Sequence, residues 1–106
     1  MAKNIFTNQT TNAVSSQFLT SGQIQINISG VLDGADVMTY ILGANGIKTP
    51  LRTCSWQSSQ GDSFLPNETA DAGVGILIEI DKIYFEIKNA GALTNISLDF
   101  YGEYYS

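Results

Sequence analysis

The sequence predicts an all-β fold, a single antiparallel β-sandwich of about seven or eight short strands with jelly-roll or immunoglobulin-like Greek-key connections. Apolar and polar residues alternate with a period of two in several segments, which is typical of strands that bury one face. No long segment keeps the apolar period of a helix, and clusters of Gly, Asn, Asp and Ser separate the alternating segments.

The clearest strand contains Ile24, Ile26 and Ile28, which point to one side of an extended chain while the polar residues between them point to the other. The Asp33-Gly34 pair that follows tolerates positive φ and local hydrogen bonds between side chain and backbone. We therefore expect the chain to reverse here and residues 35–42 to return beside the first strand as a β-hairpin.

A second turn is predicted at Asn45-Gly46, because both residues accept left-handed backbone geometry. Residues 47–54 should return from it as a strand. Pro50 lacks an amide donor, which places this strand at the edge of a sheet or at a bulge.

Two late segments also alternate. Ile76, Ile78 and Ile80 are predicted to form the apolar face of one strand, and in residues 83–87 the apolar side chains stand at odd positions instead. A turn or bulge at Asp81-Lys82 would produce this change of face.

The last strand places Ile96, Leu98 and Phe100 on one face. It follows a turn at residues 89–92, so the late strands read as a pair split by this turn.

The amino-acid composition and net charge limit the classes of partner that this chain can bind. A chain of 106 residues is one domain by length, and its net charge of −5 with only five Lys and Arg disfavours binding to a phosphate backbone. No apolar run is long enough for a membrane helix, and the N-terminus lacks the apolar core of a signal peptide. We therefore expect no nucleic-acid partner, no membrane and synthesis in the cytosol.

Chemistry is also constrained. The chain has no histidine and a single cysteine, Cys54, which reads as a small buried apolar residue. Neither a nucleophile with its base nor a set of metal ligands can be assembled from the spacing of the remaining residues. We predict a protein that is not an enzyme, with no catalytic residue, no cofactor and no metal.

Residues 1–12 form an N-terminal arm or edge strand outside a sandwich domain of residues 13–106. Its apolar residues, Ile5 and Phe6, either pair within the domain or dock on a neighbouring subunit. Both interpretations stay open, and Ile5 and Phe6 are candidate interface residues.

The aromatic residues of the C-terminal segment, Tyr101, Tyr104 and Tyr105, are further interface candidates, because such rings are favoured where proteins meet. Packing onto the edge of their own domain is the alternative. Trp56 is expected to cap one end of the core; a platform on which a sugar stacks is its functional alternative.

The order of strands and turns resembles a family of small virion structural proteins of tailed bacteriophages. The segments that carry the resemblance are Ile28-Ser29-Gly30, Asp33-Gly34-Ala35-Asp36-Val37, Gly43-Ala44-Asn45-Gly46, Ile83-Tyr84-Phe85-Glu86-Ile87, Asn89-Ala90-Gly91-Ala92 and Asn95-Ile96-Ser97-Leu98. They extend loosely over residues 24–101 and are strands and turns without a chemical signature.

The resemblance implies a capsid decoration or cement protein that binds the outer face of the capsid lattice and bridges its subunits. Its partners would be the major capsid protein or other virion subunits, and it would form a dimer, a trimer or a lattice in a virion assembled in the host cytoplasm. A tail, neck or head-fibre subunit is the alternative within the same family. A carbohydrate-binding module that uses Trp56 is the alternative from another class.

Overall fold

Strands make up most of the computed structural model, which describes residues 2–43, 45–60 and 69–105. They form one antiparallel sheet of eight strands that folds over on itself as a sandwich, so the predicted fold class is confirmed. The strands are β1 (Ala2–Gln9), β2 (Ala13–Val14), β3 (Phe18–Val31), β4 (Asp36–Leu42), β5 (Lys48–Pro50), β6 (Trp56–Gln57), β7 (Thr69–Lys88) and β8 (Asn95–Tyr105). Two short 3-10 helices cover Arg52–Cys54 and Ser58–Gln60. None of the described residues forms a helix long and apolar enough to cross a membrane.

The strand order is β1-β8-β3-β7-β4-β5, with β2 paired to β7 and β6 paired to β4. The 20-residue strand β7 belongs to both layers of the sandwich. Its first part pairs with β3, from Thr69 opposite Gly30 to Ile83 opposite Phe18. Its last part, residues 82–88, pairs with β4. The longer, first part of this strand therefore belongs to one layer and its shorter, last part to the other.

Side chains from both layers fill a single core. Ile24, Ile26 and Ile28 of β3 are almost fully buried, as their spacing predicts. The other core residues are Phe6, Phe18, Leu32, Ala35, Val37, Cys54, Trp56, Ile83, Phe85, Ile87, Ile96, Leu98 and Phe100.

The predicted hairpin between β3 and β4 is wrong, because β7 lies between these two strands. Asp33 (φ 47°) and Gly34 (φ 85°) do form a tight turn, closed by the hydrogen bond from the Ala35 amide to the Leu32 carbonyl at 3.0 Å. This turn carries the chain from one layer to the other. The late strands behave in the same way, since β3 separates β7 from β8. Local turn chemistry specifies a reversal but not the strand that will pair.

The two connections between layers lie side by side and are bonded together. The Leu93 amide donates to Asp33 Oδ2 at 2.8 Å, and the Thr94 hydroxyl donates to the Leu32 carbonyl at 2.7 Å. Asn89 Nδ2 donates to the buried Asp36 carboxylate at 3.1 Å, which also accepts from the Ser59 amide and hydroxyl. These bonds fix one end of the sandwich.

The turn at residues 43–46 is confirmed as the link of a β4–β5 hairpin, with Tyr40 opposite Pro50. Pro50 lies on the outermost strand of the sheet order, where no neighbour needs its missing amide. β1 is the outermost strand at the other end and pairs with β8, so residues 2–9 form an edge strand of the same domain.

Glycines on the inner face of β7 let another segment pack directly on its backbone. A Cβ atom on Gly73 would lie 2.0 Å from the Thr53 carbonyl oxygen, and one on Gly75 would lie 2.9 Å from Leu51 Cδ2. Residues 51–54 therefore occupy the space where side chains of these two positions would point. A larger residue at Gly73 would force the Thr53 backbone away from β7, whereas the end of the flexible Leu51 side chain can shift to admit a larger residue at Gly75.

We expect the Gly73→Ala variant to lose about 1 to 3 kcal/mol of unfolding free energy, because its methyl group would overlap the Thr53 carbonyl. The neighbouring exposed position supplies the control, Ala72→Ser, which should change stability by less than about 0.5 kcal/mol. Urea denaturation followed by circular dichroism measures both values. Equal stability of the two variants would contradict the close approach.

Cys54 lies fully buried in the core, in agreement with its prediction as a small apolar residue. Burial raises the pKa of the Cys54 thiol above its ordinary value, and the weaker hydrogen bond with the Thr53 hydroxyl opposes that shift. The thiol is therefore protonated and shielded at neutral pH.

We expect Cys54 to react with iodoacetamide at about pH 8 more than tenfold more slowly in the native protein than in concentrated urea. Mass spectrometry of timed, quenched samples measures both rates. Comparable rates in the two states would place the thiol at the surface.

Candidate protein-interaction surface

Four large apolar side chains point away from the core in a row along β7. Their exposed fractions are 46% for Val74, 70% for Ile76, 97% for Ile78 and 58% for Ile80. We call this row the β7 ladder. Single exposed apolar residues are common on protein surfaces, but a contiguous row of them is typical of a binding surface.

Ile76, Ile78 and Ile80 share one face of β7, as their alternation predicts, but this face is exposed and lies outside the core. In residues 71–80 of β7, the buried positions are Gly73, Gly75 and Leu77, which all have odd numbers. Because residues 51–54 fill the space above the two glycines, the core does not need the isoleucines. They are left on the outer face.

The expected change of face within β7 is also absent. The pairing with β3 jumps from Leu77 opposite Gly22 to Asp81 opposite Thr20, so β7 contains two extra residues there. An insertion of two residues bulges a strand but keeps the same positions inside. Ile83, Phe85 and Ile87 are therefore buried at odd positions, like Leu77 before them.

In the part of the chain that the structure describes, the ladder lies beside a free strand edge. On one side of β7, β3 and then β2 pair along the strand; on the other side, β4 pairs only with residues 82–88. No described strand pairs with that second side of residues 69–80. Backbone donors and acceptors of an unpaired edge are a template for another strand.

Exposed apolar surface continues beyond the ladder. Leu19 of β3 lies opposite both Lys82 and Tyr105, so these three side chains share the outer face. A shallow groove of about 310 Å³ runs past Ile80 toward the β4–β5 turn. It is lined by Leu19, Leu42, Gly43, Gly46, Ile80, Asp81 and Lys82.

The interface candidates from the N-terminal segment are held within the domain. Phe6 is buried in the core, where it presents almost no surface to a partner, and Ile5 is half-buried against the core. Residues 2–9 therefore lie in an edge strand that pairs with β8 of the same domain.

The tyrosine candidates divide. Tyr101 and Tyr105 are exposed, at 41% and 43%. The ring of Tyr104 packs edge-to-face on Phe18 and Phe100, with centroid distances of 6.0 Å to each, and Lys3 Nζ lies 5.4 Å from its centroid. Tyr105 therefore adjoins the apolar surface beside Leu19, while Tyr104 mainly supports the core.

Trp56 is buried, with 6% of its surface exposed, and its Nε1 donates to Asp71 Oδ2 at 2.9 Å. The structure therefore places it as the core cap that the sequence favours. Stacking against a sugar requires an open ring face, so the alternative role of Trp56 as a carbohydrate platform does not fit this position.

The outer face of the second layer differs from the β7 ladder because lysines cover its aromatic residues. Lys48 Nζ lies 4.6 Å and Lys88 Nζ 5.8 Å from the ring centroid of Tyr40, which packs against Tyr84. The hydrogen bond that Lys88 donates to the Tyr40 hydroxyl, with the nearby charge of Glu86, raises the pKa of Lys88. The aromatic residues of this face are therefore already covered by side chains of the same chain.

A polar groove of about 480 Å³ crosses the outer face of the first layer, but its acidic groups already have donors. Asp99 accepts from Asn4 at 2.8 Å, and Asp71 accepts from Trp56. The groove is lined by Gln25, Asn27, Ile28, Ser29, Asp71, Ala72 and Asp99. The described residues contain no cluster of three or more His, Cys, Asp or Glu that could hold a metal ion. Two further acidic residues that precede β7 in the sequence, Asp62 and Glu68, lie outside the described residues.

Sequence reasoning missed the β7 ladder, although a signal was present. Gly73 and Gly75 occupy alternate positions in a segment of otherwise apolar residues. Glycines spaced by two in a strand mark a face that another backbone approaches closely. That pattern predicts the opposite face as the one that carries the large side chains.

Comparison with known proteins supports the fold. No protein-family model matches the chain, and no curated protein matches it by sequence. Among solved structures, it is similar to the crystal structure of the SPBc2 prophage-derived protein YomS, with a TM-score of 0.60 and 16% sequence identity. The match covers 94% of this chain and 88% of that one. A likeness at this identity shows a shared fold.

Because Trp56 is the only tryptophan, its fluorescence tests its position directly. We expect blue-shifted emission and severalfold weaker acrylamide quenching in the native state than in urea, since the ring is buried. An unfolded-like emission maximum in the native protein would mean that the ring is open to water. Free sugars should leave the native spectrum unchanged.

Proposed function

We propose that this chain is a non-enzymatic structural protein of a phage particle that acts by binding other virion subunits. The observation that carries the proposal is the β7 ladder beside a strand edge with which no described strand pairs. A small domain that leaves both uncovered gains free energy by assembly, because partners bury apolar area and pair the edge.

Two further observations support the phage assignment. The similar fold of a prophage-derived protein covers nearly the whole chain, and the succession of turns resembles small virion proteins. Fold likeness alone does not define a role, so the interaction surface carries the functional part of the proposal.

Within this class, we favour a capsid decoration or cement protein bound to the outer face of the capsid lattice. Such a protein bridges subunits through many modest contacts, which repetition around a symmetric shell strengthens by effective concentration. A surface with few charges suits close packing against other proteins, and only 14% of the residues here are charged. A tail or neck subunit would use the same surface in a ring and is the second candidate.

The test is to purify particles of the phage or prophage that encodes this chain, separate heads from tails, and quantify the chain by mass spectrometry. The proposal expects a fixed copy number per particle, with the chain in the head fraction for a decoration protein. Recovery with tails would favour the tail or neck role. Absence from purified particles would overturn the proposal.

A matched pair of variants tests whether the ladder carries this function. The double variant Ile76→Glu/Ile78→Glu should enter particles at least about tenfold less than the parent, because charged side chains cannot be buried without a partner. Leu93→Glu is the control, since Leu93 is 72% exposed on the connection between β7 and β8. Equal incorporation of the two would show that the ladder is not the binding surface.

A further inference from the structure

We infer that the β7 ladder and its free edge bind a second copy of this chain. The two β7 strands pair antiparallel about a two-fold axis, with Val74 of each copy opposite Ile80 of the other. This inference concerns the isolated chain and holds whether or not the chain belongs to a phage particle. In a particle, the second copy would pair the edge, and the ladders of both copies would face other subunits together.

Charge favours a second copy on this edge. The chain has a net charge of −5, so two copies repel each other over most of their surfaces. Residues 72–78 contain no charged side chain, and they lie within the unpaired segment of β7. Two copies can therefore meet along this segment without opposing like charges.

The register follows from the alternation of faces. Residues directly opposite each other in an antiparallel pair share a face, so the even-numbered ladder residues must oppose even-numbered residues. A pairing centred on Leu77 places Val74 opposite Ile80 and Ile76 opposite Ile78. Every ladder residue then contacts a ladder residue of the second copy.

Neighbouring registers are less favourable. A pairing centred on Gly75 places Glu79 opposite Asp71, and one centred on Ile76 places Asp81 opposite Asp71; like charges directly opposite destabilise a pair. A pairing centred on Ile78 would set Val74 opposite Lys82. That register is excluded because the backbone of Lys82 already pairs with Leu42 of β4 on this side of the strand. The Leu77-centred register places Glu79 opposite Gly75 and avoids these conflicts.

Such a two-fold contact uses the same surface twice, so a single apolar row completes both halves of the interface. The paired segment of residues 74–80 is about 23 Å long at ~3.3 Å per residue. It joins the first layers of the two copies into one continuous sheet, with the eight ladder side chains on its outer face.

The oligomeric state of the purified chain tests the inference. Sedimentation velocity and light scattering should give twice the 11.5 kDa chain mass at micromolar concentration. The Ile76→Glu/Ile78→Glu variant should sediment as a monomer with an unchanged circular dichroism spectrum, whereas Leu93→Glu should remain a dimer. A parent chain that stays monomeric at all concentrations would overturn the inference and leave the ladder to another protein.

Disulfide trapping tests the register. In the double variant Val74→Cys/Ile80→Cys, each new thiol lies opposite one of the second copy, and opposed Cα atoms at ~4.5–5.5 Å are within disulfide range. Mild oxidation should convert this variant to a covalent dimer on a non-reducing gel. Each single variant should stay uncrosslinked, because its new thiol is about 20 Å from its equivalent. Buried Cys54 does not interfere. A parent dimer without crosslinking in the double variant would place the interface elsewhere.

Discussion

The packing of residues 51–54 on the inner face of β7 is the contact on which the rest of the surface depends. At Gly73 and Gly75 this face has no side chains, and the Thr53 carbonyl and Leu51 take the space. Residues 51–54 therefore provide the core contacts that two large side chains at these positions would otherwise make. The apolar residues that alternate with the glycines consequently stand on the outside, where they contribute little to the stability of the isolated chain.

The long strand β7 joins the two layers, and its course is fixed at both ends. Near its start, Asp71 accepts the hydrogen bond of Trp56, and after its end Asn89 bonds to Asp36. Asp36 in turn holds Ser59, so the segment that packs on the glycines is tied to the same connection between layers. These hydrogen bonds therefore hold the chain on both sides of the exposed row.

The sequence predicts much of the fold and little of the candidate site, for one physical reason. Alternation correctly predicts that Ile24, Ile26 and Ile28 are buried. Strand β3 lies between β8 and β7 in the sheet, and its inner face is covered by the core. The same rule fails at Ile76, because alternation says which residues share a face but not which face is covered. Covering depends on residues 51–54, which are distant in sequence. The sequence also fails to predict the strands that pair with β4 and β8, for a related reason. A turn such as the one at Asp33-Gly34 fits a hairpin and a change of layer equally well.

The two outermost strands of the sheet limit how far any self-association can proceed. β1 has two irregularities in its pairing with β8, on either side of Phe6, and β5 is three residues long and ends in Pro50. Bulges, short length and proline make a strand edge a poor template for a further strand. Of the described strands, only β7 then has an adhesive edge. Pairing through the β7 edge, as inferred above, would therefore close at two copies, because each copy offers this edge once.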